Sequence, residues 1–455
     1  MTDPTVPTPE DVDAIPEDGD PAAGDVDPTA EDVDPAAPDV DPVLAADLDT
    51  EFPRVAPRRR WPVVLVGLLV VVALLGSMVL VRSASSGSDS PTGDGAGSLS
   101  STTAPEPASE AEVEAAVAEI STFVAAERGL EFLEPVKVEL AGEGDFQDRL
   151  LADFDEDADE LRETEVFLEG VGLVEPETDM VEAMRALFGG GVVGFYDPES
   201  AELVVRGAAL TPYVKTTIAH ELVHALDDQH HDLHRPRYDD ADDEISFGFS
   251  AVVEGNARRI ENAYRASLTD DEREQAATEE LMIGGDLDVG SIPLVLMDLI
   301  GAPYSLGEPF VDAIVTSGGD EALAAAFADP PRTTEQVLDP ERFLAGEGAL
   351  AVPPPQVEGE VVDEGMVGQL LVLLVLAEEL GIDEARAAST GWGGDWGVAW
   401  RDGDRSCVTA TFVGDDVAET EQLRQAFEQW AAAQDDARVE PSGGGGPFTL
   451  ESCSS

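Results

Sequence analysis

Lysine is nearly missing from this chain. Lys137 and Lys215 are the only two in 455 residues, and 25 lysines and arginines face 96 aspartates and glutamates. A net charge of −71 leaves nothing to neutralise phosphates, which excludes nucleic acid as a partner. Such a surface suits solubility and says nothing about fold. Cysteine is limited to Cys407 and Cys453, and tyrosine to five positions. Histidine is absent everywhere except in "TTIAHELVHALDDQHHDLH" (216–234), which holds all five.

Basic residues are also absent from residues 1–50, which carry sixteen acidic ones and repeat "DVDP" at 25–28, 32–35 and 39–42. Proline at every seventh place excludes a heptad helix, and the apolar content is too low to offset chain entropy. Residues 1–57 therefore read as an acidic, Pro-rich disordered tail. The composition then inverts: 62–81, "PVVLVGLLVVVALLGSMVLV", has no charge at all. As a helix it is long enough to cross a hydrocarbon core of about 30 Å. Arg54, Arg58, Arg59 and Arg60 precede it and only Arg82 follows closely, so the tail is expected in the cytoplasm and the rest outside. A cleaved signal peptide ending near "SAS" (83–85) is the alternative, but the run is too long and too far from the N-terminus. The expected localisation is thus the cell membrane, single-pass. Residues 83–107 read as a Ser/Gly/Pro-rich stalk, and 108–455 as one extracytoplasmic domain. In an oxidising compartment Cys407 and Cys453 are expected to form a disulfide, with two free thiols as the alternative.

Within 108–455 the periodicities predict mostly helix: 109–129 closing on Gly129, one or two acidic helices over 145–172, "ETDMVEAMRALF" ending at Gly189–Gly191, 245–268, a buried apolar helix at 366–381, and "VAETEQLRQAFEQWAAA". "PVKVEL" (135–140) alternates like a strand. "GVVGFYDPESAELVVRG" (191–207) and "GVAWRDGDRSCVTATFV" (397–413) read as hairpins around Asp197-Pro198 and Asp402-Gly403. Thr211-Pro212 starts the histidine helix, and Thr333 to Gln336 forms a cap pattern. The fold class is α+β, mainly helical with small hairpins.

His220-Glu221-Leu222-Val223-His224 is HExxH. On a helix, positions i and i+4 share a face about 6 Å apart along the axis, so two imidazoles converge on one ion with Zn–N bonds of about 2.0–2.1 Å. Glu221, one position round, reaches an attacking water without ligating the metal, and serves as the candidate general base. Two residues compete to be the third ligand. Glu254, in "SAVVEGNARRIENAY", sits on a second helix beside small Gly255 and Ala257, which suits close packing at a metal. His230 completes HExxHxxDxxH, but only if the helix breaks at Asp227, where a glycine would turn more cheaply. Glu254 is the favoured choice. For an oxyanion donor, Tyr264, Tyr304 and Arg258 are candidates that the sequence does not separate.

The run "GVVGFYDPESAELVVRG…TIAHELVHALDDQHHDL…AVVEGNA" resembles an actinobacterial family of membrane-anchored HExxH zinc metallopeptidases. "PYSLGEPFV" (303–311), "PPRTTEQVLDPERF" (330–343) and "GWGGDW" (391–396) also look like family elements, so the resemblance covers residues 185–415. It implies a zincin-like fold with a gluzincin-type third ligand, a bound Zn2+, and a peptide or protein substrate outside the cytoplasm. In zincins, the hairpin preceding the helix supplies the edge strand that pairs with substrate. Asn256 departs from the family's acidic residue and is expected to weaken an outer contact to a ligating histidine; Asp228 replaces a glutamine. A peptidase with metal ligands His220, His224 and Glu254 is the leading expectation. The alternatives are a catalytically weak or inactive zincin-fold scaffold of the cell envelope, and a zinc-stabilised interaction domain.

Overall fold

The structure, a computed structural model, describes Leu69–Val72 and residues 106–454 except 153, 155–157, 177, 240–242, 286–289, 291, 442 and 444. The class is α+β, rich in helix. Its first part runs β1 (Leu69–Val72), α1 (Glu110–Arg128), β2 (Val138–Ala141), α2 (Glu143–Leu150), α3 (Ala158–Gly170), α4 (Met180–Gly191), β3 (Val192–Asp197), β4 (Glu202–Arg206), α5 (Pro212–His231), α6 (Pro236–Asp239), α7 (Asp243–Ser267), α8 (Asp270–Gly285) and α9 (Leu294–Ala328). The second continues with α10 (Thr334–Leu338), α11 (Pro340–Ala345), β5 (Glu360–Gly365), α12 (Gly368–Leu380), α13 (Ile382–Ser389), β6 (Trp392–Asp402), β7 (Arg405–Gly414), α14 (Val417–Ala431), β8 (Ala437–Pro441) and β9 (Phe448–Cys453).

Local chemistry sets the element ends. The backbone N–H of Ser109 donates to Glu112 Oε2 at 2.8 Å to open α1, and Gly129 closes it at φ 72°. Thr211 accepts from the Val214 N–H at 3.2 Å ahead of Pro212, starting α5. Thr333 caps α10 through the Gln336 N–H at 3.2 Å. Both expected hairpins form, β3–β4 and β6–β7.

A four-stranded sheet, in order β1-β3-β4-β2, separates two cores. Strand alternation divides its side chains: Phe195 and Val204 join one core, Tyr196, Leu203 and Val205 the other. The latter core contains α1, α5, α7 and the later part of α9. The former collects α2–α4, the start of α9, and a five-stranded sheet in order β5-β6-β7-β9-β8 with α12 and α14. Cys407 and Cys453 lie opposite each other across β7 and β9 and form the expected disulfide.

Four residues of the run expected to cross a membrane as a helix, Leu69–Val72, are instead strand β1, antiparallel to β3 with Val71 opposite Gly194. A Leu/Val run has high strand propensity, and an open sheet edge satisfies its backbone groups. The rest of that run, the tail and the stalk through 105 lie outside the described residues. No described helix is long and apolar enough to cross a membrane.

The halves are sewn together by buried polar contacts. Glu244, at the start of α7, accepts from the Thr334 N–H at 2.6 Å and the Thr334 hydroxyl at 3.0 Å. Asp395 accepts from the N–H groups of Val367 (2.7 Å) and Gly368 (3.1 Å) and from Trp392 Nε1 (2.7 Å), capping α12. Gly368 sits at φ 79°, where a Cβ would lie 2.0 Å from the Glu244 carboxylate. The stretches 330–343 and 391–396 thus meet at this seam.

Candidate metal centre

Helix α5 runs unbroken through His231, so His220 and His224 stack one turn apart, both fully buried, with ring centroids 4.7 Å apart. Helix α7 crosses α5 and brings Glu254 against them. Its Oε2 lies 3.2 Å from His220 Nε2 and 3.4 Å from His224 Nε2. One ligand atom from each of the three residues lies within 4.8 Å of the others, so this buried group could hold a metal ion.

The approach that places Glu254 depends on glycine. A Cβ on Gly255 would stand 2.2 Å from the Gly307 carbonyl carbon, and one on Gly307 would stand 2.3 Å from the Ala251 carbonyl oxygen. Backbone therefore touches backbone where α7 meets α9. One turn before Gly307, Tyr304 stacks on His220 at 6.1 Å between centroids and bonds to Glu254. Burial, then the charges of Glu254 and Glu221, push its hydroxyl well above the usual tyrosine range. Of the tyrosine candidates, Tyr304 is the one brought to the centre; Tyr264 packs edge-on against Phe123.

Glu261, two turns after Glu254 on the same face of α7, lies 3.0 Å from His220 Nδ1. Arg258 Nη1 holds both its oxygens, at 3.1 and 3.0 Å, and Arg265 Nε stands 3.1 Å from Oε1. Burial works against the charge of Glu261, but Arg258 and the histidine outweigh it and lower its pKa to about 2. The charge of Glu254 is likewise opposed by burial and held by the two histidines, at about 2. Between these carboxylates, and despite burial, His220 is raised to about 10. Burial lowers His224.

Glu221 is fully buried, and its carboxylate has no side-chain hydrogen-bond partner, with only the Tyr196 backbone of β3 close to it. It packs on β3, where a Cβ on Gly194 would stand 3.1 Å from its Oε1 and 2.6 Å from Thr217 Cγ2. Burial pushes its pKa well above the carboxylate range, opposed by the neighbouring His220. His224 Nδ1 also lacks a hydrogen bond, and its Nε2 has only Glu254 at 3.4 Å. Buried polar atoms without partners cost about 1–3 kcal/mol each, so the centre is destabilised in a way that a cation among two nitrogens and one carboxylate would relieve. The donor set fits a metal.

His230 does not take part. Its Nε2 bonds to the Glu131 carbonyl at 2.9 Å, on the outside of the helix. Asn256 also differs from expectation, because it does not touch a ligating histidine. Its Nδ2 donates to Asp227 at 2.6 Å, and Asp227 pairs with buried Arg128 at 2.7 Å. The outer contact to His220 comes from Glu261 instead. Asp228 accepts from the Tyr196 hydroxyl at 2.8 Å and the Leu233 N–H at 2.8 Å. Glu261 was missed from sequence, although its seven-residue spacing from Glu254 on one helix carries the signal.

A family described as "Domain of unknown function (DUF8575)" matches residues 351–451. The match takes in α12–α14 and most of the five-stranded sheet, and leaves out His220, His224 and Glu254. No curated protein and no solved structure matches the chain.

Proposed function

We propose that this chain is a zinc-dependent peptidase of zincin-like fold, with His220, His224 and Glu254 as ligands. The observation that carries the reading is Glu221: a buried carboxylate without a side-chain partner, next in sequence to one ligand and within reach of the charges of His220 and Glu254. A structural zinc site has no use for such a group. Bound zinc would supply a polarised carbonyl and an acidified water. Glu221 takes a proton from the attacking water and passes it to the leaving amine. The Tyr304 hydroxyl, which bonds to Glu254 in the resting centre, turns to the developing oxyanion. Glu261 holds His220 through Nδ1, which leaves Nε2 facing Glu254.

The disulfide supports an extracytoplasmic setting. The complete burial of His220, Glu221 and His224 favours a second reading, an inactive zinc-bearing scaffold. One experiment separates the two. Zinc content near one per chain, with hydrolysis of an unfolded protein that falls roughly 10²–10⁴-fold in Glu221→Gln, supports the peptidase. Bound zinc without hydrolysis supports the scaffold.

A further inference from the structure

His220, Glu221 and His224 have no exposed surface and Glu254 has 4 %, so a substrate has no path to the centre unless an element moves. The elements around the centre differ in how firmly they are held. Helix α7 buries fourteen of its residues, including Phe249, Val252, Val253 and Ile260. Helix α5 supplies Ile218, Leu222, Val223 and Leu226 to the same core, and α9 supplies Phe310, Val311 and Ile314. Helix α8 buries only Ala276 and Gly284, while Leu281 and Met282 are 75 % and 68 % exposed.

Its underside rests on a satellite cluster in which Ala276 and Ile283 meet Val193 and Tyr213. Val193 precedes Gly194, the residue against which Glu221 packs. Tyr213 lies one turn before Thr217, the other side chain against Gly194, whose hydroxyl donates to the Tyr213 carbonyl at 3.2 Å. Helix α8 therefore borders the Glu221 side of the centre. The Tyr213 hydroxyl beneath it is buried and makes no hydrogen bond. Away from its first turn, the helix has one ion pair to α7, Glu280 with Arg265 at 3.0 Å, both partly exposed. That first turn is stapled to the end of α7: Thr269 and Glu272 cap it, and Arg273 reaches the carbonyls of Ala266 and Leu268. The elbow at Leu268-Thr269 is thus a fixed pivot, and the remainder is the least secured element beside the centre.

We propose that α8 is a lid. It swings about this elbow with Arg265–Glu280 as its latch, and it uncovers Val193 and Tyr213 as the surface that takes an apolar substrate side chain. The orphaned Tyr213 hydroxyl then meets a peptide polar group. The inference builds on metal binding and peptide hydrolysis at the centre, but its test uses neither peptide nor catalysis. Amide exchange in the full chain should be at least about tenfold faster across α8 than across α5. In the zinc-loaded chain, Glu280→Gln should speed zinc transfer to a chelator by about two- to fivefold, the worth of a partly exposed ion pair. Ala276→Glu, which sets a charge under the lid, should speed it about tenfold or more. If that variant loses its helical circular dichroism, Glu280→Gln decides alone. Unchanged zinc release in the folded variants, or α8 amides as protected as those of α5, would overturn the lid. A chain that releases zinc as expected but hydrolyses nothing would keep the lid and refute the peptidase.

Discussion

The two halves of the molecule treat buried charge differently. Around the five-stranded sheet the buried carboxylates Asp395 and Glu169 are matched: Asp395 accepts three N–H groups, and Ser406 is shared by Glu169 and Arg401, so that the atoms left over are neutral ones such as Trp396 Nε1 and Gln369 Oε1. A disulfide adds to that order, closing a sequence separation of 46 and stabilising by about 3–4 kcal/mol. Around His220 the chain instead leaves Glu221 with no side-chain partner and His224 with only Glu254 at 3.4 Å, and crowds three carboxylates about two imidazoles. A domain selected for stability alone would not keep such a cluster. The contrast separates a half that holds shape from the half on which the proposed chemistry rests.

The sharpest test of that division is the third ligand. Glu254→Ala is expected to abolish stoichiometric zinc after dialysis, while His230→Ala keeps it near one per chain; metal analysis of both variants decides. The reverse result would put His230 in the centre. Next in size is Asp395→Ala, which orphans three donors and should cost about 3–5 kcal/mol in urea unfolding. If the halves divide as described, the folded variant still binds zinc. Glu261→Gln can still accept from Nδ1 but loses its charge, and should weaken zinc affinity by about 10–100-fold with little change in stability. An unchanged affinity would reduce Glu261 to a packing role.

The last test concerns pH. Burial raises Glu335 to a pKa of about 8, and Arg342, 3.4 Å away, only partly offsets it. The folded chain therefore keeps a proton that the unfolded chain releases above the ordinary value of 4.5. This contribution to stability is full at low pH and lost as pH rises toward about 8. Glu335→Gln should flatten the dependence, measured as urea midpoints from about pH 5 to about pH 9. Parallel curves for the two proteins would contradict it.

Much of this was legible locally. An i, i+4 histidine pair, a Thr-Pro helix start, a Gly helix stop and two Asp-centred hairpins depend on neighbours within a few residues. The disulfide was legible because two cysteines allow one intramolecular pairing. The choice of Glu254 over His230 was half legible: small residues around Glu254 advertised close packing, but only the unbroken α5 shows that His230 faces outward. Tyr304 reaches His220 across a separation of 84 residues, which no local pattern encodes, and the α7–α9 glycine contact aims it; Glu261 shares a helix face with Glu254, a local signal, but its meeting with His220 41 residues away needs α7 to cross α5. Asn256 shows the same limit, since its partner Asp227 was invisible until the helices were crossed. Sequence alone determined which residues could bind a metal, because ligand chemistry and helix period are local properties. Which of them do meet, and that the carboxylate beside them is left without a side-chain partner, was decided by tertiary packing, because burial and hydrogen-bond satisfaction belong to the assembled core.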